Sequence, residues 1–159
     1  MNNIGDTNNT KSMLERLESL KAAIFASSCT ILTFVITTQL KNYLLKRFSI
    51  FSFEQINIFT WHWWISAGVV LLSGFLFGVT YRYIIRSDNN LQLDAGGVMA
   101  FALVRGLAQA DIKLALPNHI NYILLLTIAL AENIFLFGFA AFGLRIAIRT
   151  GWIKTFKSN

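Results

Sequence analysis

The chain has 159 residues, of which 55% are hydrophobic and only 14% charged, with a mean hydropathy of +0.53 and a net charge of +6. Soluble domains carry about 25% charged residues, and the apolar residues here gather into blocks near the roughly 20 residues that cross a bilayer. The bases flank those blocks and form no single stripe, which argues against nucleic acid as a partner, and the lone Cys29 excludes an internal disulfide and a multi-cysteine metal site.

The pattern predicts an all-α integral membrane protein with four transmembrane helices and an interfacial segment between the first two. Residues 1–21 form the N-terminal segment. Met1 to Thr10, rich in Asn and Thr, is expected to be disordered, and Leu14, Leu17 and Leu20 mark a short amphipathic helix after it. No short apolar stretch with a small-residue cleavage site opens the chain, so the first span is expected to act as the targeting element. Span one covers about 22–40. Its Ala, Ser and Thr content suits close helix contact, and Cys29 reads as a packing residue.

From Lys41 to Thr60 the charges of Lys41, Lys46, Arg47 and Glu54 alternate with Leu and Phe. That is too polar to span and is expected to lie on the bilayer surface. A helical extension of span one followed by a compact loop is the alternative. Span two covers about 61–85. Trp61, Trp63 and Trp64 anchor one end in the interface and Tyr81 and Tyr83 the other. From Trp63 to Tyr81 a helix rises about 27 Å, close to the thickness of a hydrocarbon core, about 30 Å.

Arg86 to Asn90 breaks the pattern. Span three, about 94–116, is apolar to Val104 and then carries Arg105, Gln109, Asp111 and Lys113. It reads as a span buried among its neighbours, with a re-entrant or surface helix as the alternative. Pro117 ends it. Span four covers about 120–142, with its helix able to run on to Arg149, and residues 150–159 form a short basic tail.

Charge counting supports four spans. With four, the termini share one side with Lys11, Arg16, Lys21, Arg82, Arg86, Arg145, Arg149, Lys154 and Lys157. The other side holds Lys41, Lys46, Arg47 and Lys113. Three spans divide the bases evenly, and the positive-inside rule prefers the asymmetric arrangement, with both termini on the cytoplasmic-type side.

Two charges stand inside apolar stretches, Arg105 in span three and Glu132 in span four. The short connection through Pro117 makes these spans antiparallel neighbours, so the two are expected at matching depth as an intramembrane ion pair. A carboxylate at that depth needs a partner, a proton or a wet path. Gln109, Asn121 and Asn133 extend a polar stripe that reads as interhelical hydrogen bonding or a narrow wet groove. Gly74 and Gly78 form a GxxxG, and Ala102, Gly106 and Ala110 repeat every fourth residue. Both sets are helix-packing faces.

No phosphate loop, HExxH or paired-carboxylate motif is present, and the serines and threonines of span one have no base near them in sequence. A non-enzymatic role is therefore expected, with neither cofactor nor metal. His62 and His119 fall on one side of the membrane in the four-span arrangement and leave haem or chlorophyll ligation as a geometric alternative.

Tyr81-Arg82-Tyr83-Ile84-Ile85-Arg86 and the run from Gly96-Gly97-Val98-Met99-Ala100-Phe101-Ala102 to Gln109 resemble small uncharacterised multi-pass membrane proteins of cyanobacteria and plastids. The likeness is confined to residues 81–109. It implies a photosynthetic membrane setting, the thylakoid or a bacterial inner membrane, and no activity. The functional expectation is an accessory or assembly factor that binds other membrane proteins of a larger complex. The alternatives are a small transporter or channel subunit with a polar path through Arg105 and Glu132, and a pigment or haem carrier.

Overall fold

The computed structural model describes residues 3–48, 61–85, 91–114 and 122–154. Among them are four helices: α1 (Asn3–Phe48), α2 (Trp61–Ile84), α3 (Leu91–Leu114) and α4 (Tyr122–Arg149). Each neighbour runs antiparallel to the next. On α1 and α2, Phe34 meets Trp63 at one end and Ser19 meets Arg82 at the other. On α3 and α4, Asp94 meets Arg145 while Gln109 meets Asn133. Phe77 against Phe101 joins α2 to α3, and Lys41 against Glu132 joins α1 to α4. The result is an up-down-up-down bundle. Its two ends are named here for Trp63 and for Arg82.

Small residues set the spacing of α1 and α2. Gly74 and Gly78 are buried and face α1. A Cβ on Gly78 would stand 2.5 Å from the Ala22 carbonyl oxygen and 2.7 Å from Ala26 Cβ, and one on Gly74 would run into Thr30. The GxxxG therefore lets two backbones approach, and Ala22, Ala23 and Ala26 complete the contact with almost no exposure. Gly106 makes the same kind of approach to Leu130 between α3 and α4, and Ala102 is fully buried beside it. Large rings fill the rest of the core: Phe77, Phe101 and Phe137 meet with centroids 5.2–5.7 Å apart.

Three helices are long and apolar enough to cross a membrane, namely α1 over Met13–Tyr43, α2, and α4 over Leu126–Arg149. They carry large apolar side chains on their outer faces, as a helix in lipid does. α3 has the length, 24 residues or about 36 Å. Over the described residues it is not among that set. Yet its outer face is apolar too, with Met99, Leu103, Val104 and Leu107 exposed while Arg105 is turned inward and buried.

Several expectations are corrected. α1 begins at Asn3, within the stretch expected to be disordered, and is continuous for 46 residues. Adding residues to a formed helix is cheap compared with starting one, so the polar leader joins a helix that packing has already nucleated. Lys41 to Phe48 also belongs to α1, which is the helical extension and not a segment starting at Lys41. Residues 49–60, with the rest of the expected interfacial segment, lie outside the described residues. Tyr81 is not an interface anchor. It shares the inward stripe of Val70, Gly74, Phe77 and Gly78, is 1% exposed, and packs on Phe77. Trp63 is half-buried against Phe34. Trp61, Trp64 and Tyr83 do point outward.

The start of the tail is structured as well. α4 ends in a Schellman motif in which Trp152 N–H donates to Ala147 O at 3.0 Å and Gly151 N–H to Ile148 O at 3.1 Å. Gly151 holds φ = 77°, a conformation glycine adopts without steric penalty. The turn folds the chain back so that Ile153 enters the core and Trp152 meets Phe25 edge-on at 6.1 Å.

Candidate functional site

The inward polar residues form three clusters. The first lies toward the Trp63 end. Glu132 on α4 makes a salt bridge with Lys41 on α1. Arg105 on α3 donates through NH1 to Ser73 Oγ on α2 at 3.2 Å. Ser73 stands near the middle of α2, so this guanidinium lies beside the centre of an apolar helix. Its Nε is buried without a hydrogen-bond partner. Next to these, Asn133 donates to Gln109 Oε1 at 3.0 Å and to its own helix at Ala129 O at 2.7 Å.

The expected pairing of Arg105 with Glu132 is therefore replaced. The direct partner of the carboxylate is Lys41, and among the described residues no hydrogen bond or ion pair joins Glu132 to Arg105. The reason is geometric. Thr30, Thr33 and Thr38 put a buried polar stripe on α1, and Lys41 continues that stripe one turn further. A flexible four-carbon stem brings its ammonium to Glu132, whereas the Arg105 side chain is drawn toward α2 by Ser73. Sequence reading missed Lys41 because its charged neighbours made the region look like a surface segment. The threonine stripe was the available signal.

The second cluster closes the Arg82 end. Arg82 is 2% exposed. Its Nε–H donates to Lys154 O at 2.9 Å, and NH1 donates to Glu15 O at 2.6 Å and to Ser19 Oγ. One guanidinium thus joins α1, α2 and the folded-back tail, and Lys154 N–H adds a contact to Glu18 Oε2 at 3.3 Å. By sequence Arg82 was one of the bases flanking a span. It falls four residues after Gly78, on the face that approaches α1, and that spacing would have found it.

In the third cluster, Arg145 on α4 pairs with Asp94 on α3 at 2.5 Å. Tyr81 Oη lies next to the Asp94 carboxylate without a well-formed hydrogen bond to it, and Asp94 Oδ1 is likewise left open. These residues line a 330 Å³ pocket whose remaining wall is apolar, including Val98, Met99, Ile134 and Phe142. The pair ties α3 to α4 near the Arg82 end of both helices.

The other expected site residues are dispersed. Ala110 lies in α3, and its side chain is outside the described set. Asn121 and His119 also lie outside the described residues. His62 is exposed on α2. Among the described residues no group of three or more His, Cys, Asp or Glu side chains is placed to hold a metal ion. The clusters can hold helices together by charge and hydrogen bonding.

No protein-family model, curated protein or solved structure matches the chain.

Proposed function

We propose that the chain is a four-span integral membrane protein acting as a non-enzymatic accessory or assembly factor for other membrane proteins. The observation that carries this reading is where the inward charges are used. Lys41 and Glu132 join α1 to α4, Asp94 and Arg145 join α3 to α4, and Arg82 joins α1, α2 and the tail. Ionisable groups in a membrane are expensive, and these are engaged in holding the bundle.

Counting α3 as the fourth span is supported by its antiparallel packing on α4 and its inward Arg105. A charged face turned into a bundle need not meet lipid. Four spans place both termini on the more positive side. An open, largely apolar groove of about 710 Å³ runs along α1 and α2, lined by Ile24, Ile31, Leu32, Val35, Leu71 and Phe75 among others. Its shape suits an apolar partner helix. A photosynthetic membrane is the proposed setting, on the resemblance of residues 81–109 alone.

Solubilisation in a mild detergent followed by mass spectrometry tests the proposal. Recovery with one larger membrane complex is expected. Recovery only as a free protein, under conditions that keep known complexes intact, contradicts it. The second reading, a transporter or channel subunit, draws on Arg105, Gln109, Glu132 and Asn133 lying along the α3–α4 contact. It requires ion or proton flux in reconstituted vesicles that Glu132→Gln abolishes with the fold intact.

A further inference from the structure

The 330 Å³ pocket between α3 and α4 is a groove open to the outside of the bundle. Its head, at the Arg82 end, is polar. Asp94, in the first turn of α3, pairs there with Arg145, one turn before the end of α4. The Arg145 side chain keeps 29% of its surface exposed. Arg149 follows four residues later on the same helix face and is exposed as well. Tyr81, 1% exposed, also lines the groove, and its Oη and Asp94 Oδ1 are buried without hydrogen-bond partners. Away from the head the lining is apolar. Gly138 and the buried Ala141 form a floor between the exposed Met99, Ile134 and Phe142. A Cβ on Gly138 would meet no atom within 4 Å, so the floor is open where a side chain would fill it.

Length and charge together identify an occupant. Arg145 and Ile134 stand about 16 Å apart along the helix, close to half of a hydrocarbon core, about 15 Å. The groove therefore runs from headgroup level to mid-membrane, along a helix apolar enough to span. Arginine pairs strongly with phosphate, and basic sites between spans on the cytoplasmic-type side attract anionic headgroups. We propose that the groove binds one anionic phospholipid, with its phosphate on Arg145 and Arg149 and one acyl chain over Gly138. Asp94 competes with the phosphate for Arg145. As the guanidinium turns to the lipid, the Tyr81 hydroxyl is the donor left for the carboxylate. The site needs the membrane reading of α4 and no partner protein.

The test titrates the full-length protein, in a non-ionic detergent, with phosphatidylglycerol or phosphatidylcholine of one chain length, and reads Tm. Wild type is expected to show a saturable rise with phosphatidylglycerol, little with phosphatidylcholine and none with inorganic phosphate. Arg145→Gln is expected to weaken phosphatidylglycerol binding about tenfold, the loss of a charged hydrogen bond. Gly138→Leu should weaken it by a similar factor by filling the groove, while the lipid-free Tm stays at or above that of wild type. Asp94→Asn is expected to tighten binding, because it frees Arg145. General damage to the bundle would weaken binding in Asp94→Asn and Arg145→Gln alike. The proposal is overturned if phosphatidylcholine or inorganic phosphate stabilises wild type as phosphatidylglycerol does, which can be read even if a variant does not fold. It is also overturned if Gly138→Leu binds like wild type, or if Asp94→Asn and Arg145→Gln move the affinity in one direction.

Discussion

The two ends of the bundle handle buried arginine in opposite ways. At the Arg82 end the guanidinium is surrounded by three oxygens from two segments, two of them main-chain carbonyls that no substitution of their own residue would remove. Toward the Trp63 end Arg105 has one serine hydroxyl, and the acid on the neighbouring helix, Glu132, is paired with Lys41 instead. The first is a closed structural joint. The second is an under-filled one. A membrane interior makes that difference matter, because water is not there to complete a missing set of hydrogen bonds.

The largest expected effect breaks the under-filled end. Glu132→Ala leaves Lys41 without its acid; removing one partner of a buried ion pair costs about 3–5 kcal/mol, and the partly exposed Lys41 side chain puts the expected loss at the lower end of that range. Loss of accumulation and a lower Tm in detergent are the expected readouts. Arg82→Ala comes next. It takes the charge away with its bonds and orphans no opposite charge. Hydrogen bonds from charged groups contribute about 1.5–3 kcal/mol each, so a loss of about 3 kcal/mol is expected, together with protease sensitivity of the segment after Gly151. Arg82→Lys keeps the charge but not the fork and should recover only part of that loss.

The next substitution sharpens the comparison by testing whether the α1–α2 contact is as tight as the closed end requires. Gly78→Ala puts a methyl against the Ala22 carbonyl and is expected to cost about 1–3 kcal/mol, as overpacking does. Gly68→Ala meets no atom within 4 Å and should be neutral or slightly stabilising. The smallest effect is expected for Asn133→Ala. Interhelical hydrogen bonds in membranes average about 0.6 kcal/mol, and Asn133 makes one of these to Gln109. Thermal unfolding in one detergent ranks all of these.

Much of the fold was legible because lipid imposes a simple code. α2 and the inner part of α4 are apolar blocks between polar breaks, and Gly74 and Gly78 mark a contact that the structure places against α1. What was harder to read is which charge meets which. Arg105 and Glu132 are at comparable positions in adjacent helices, and sequence alone made them partners. The choice was settled by side-chain reach and by the threonine stripe that turns Lys41 inward. Arg82 was obscured for a related reason, since a base at the end of a span reads as a topology signal until its spacing from Gly78 is taken into account. Tyr81 was misplaced because its distance from Trp63 fits a bilayer, while its helical phase belongs to the core. Depth and phase are separate quantities, and the phase decides burial.

The position of α3 is the point on which the rest depends, because only a spanning α3 carries Arg105 into the membrane interior. Site-directed labelling measures it most directly. Single cysteines at Asn2, Ser87, Asn118 and Ser158, in a Cys29→Ala background, are exposed to a membrane-impermeant maleimide in oriented vesicles. Labelling of Asn2→Cys, Ser87→Cys and Ser158→Cys from one side and of Asn118→Cys from the other is the expected result. Labelling of Asn118→Cys from the same side as Ser87→Cys would contradict a spanning α3.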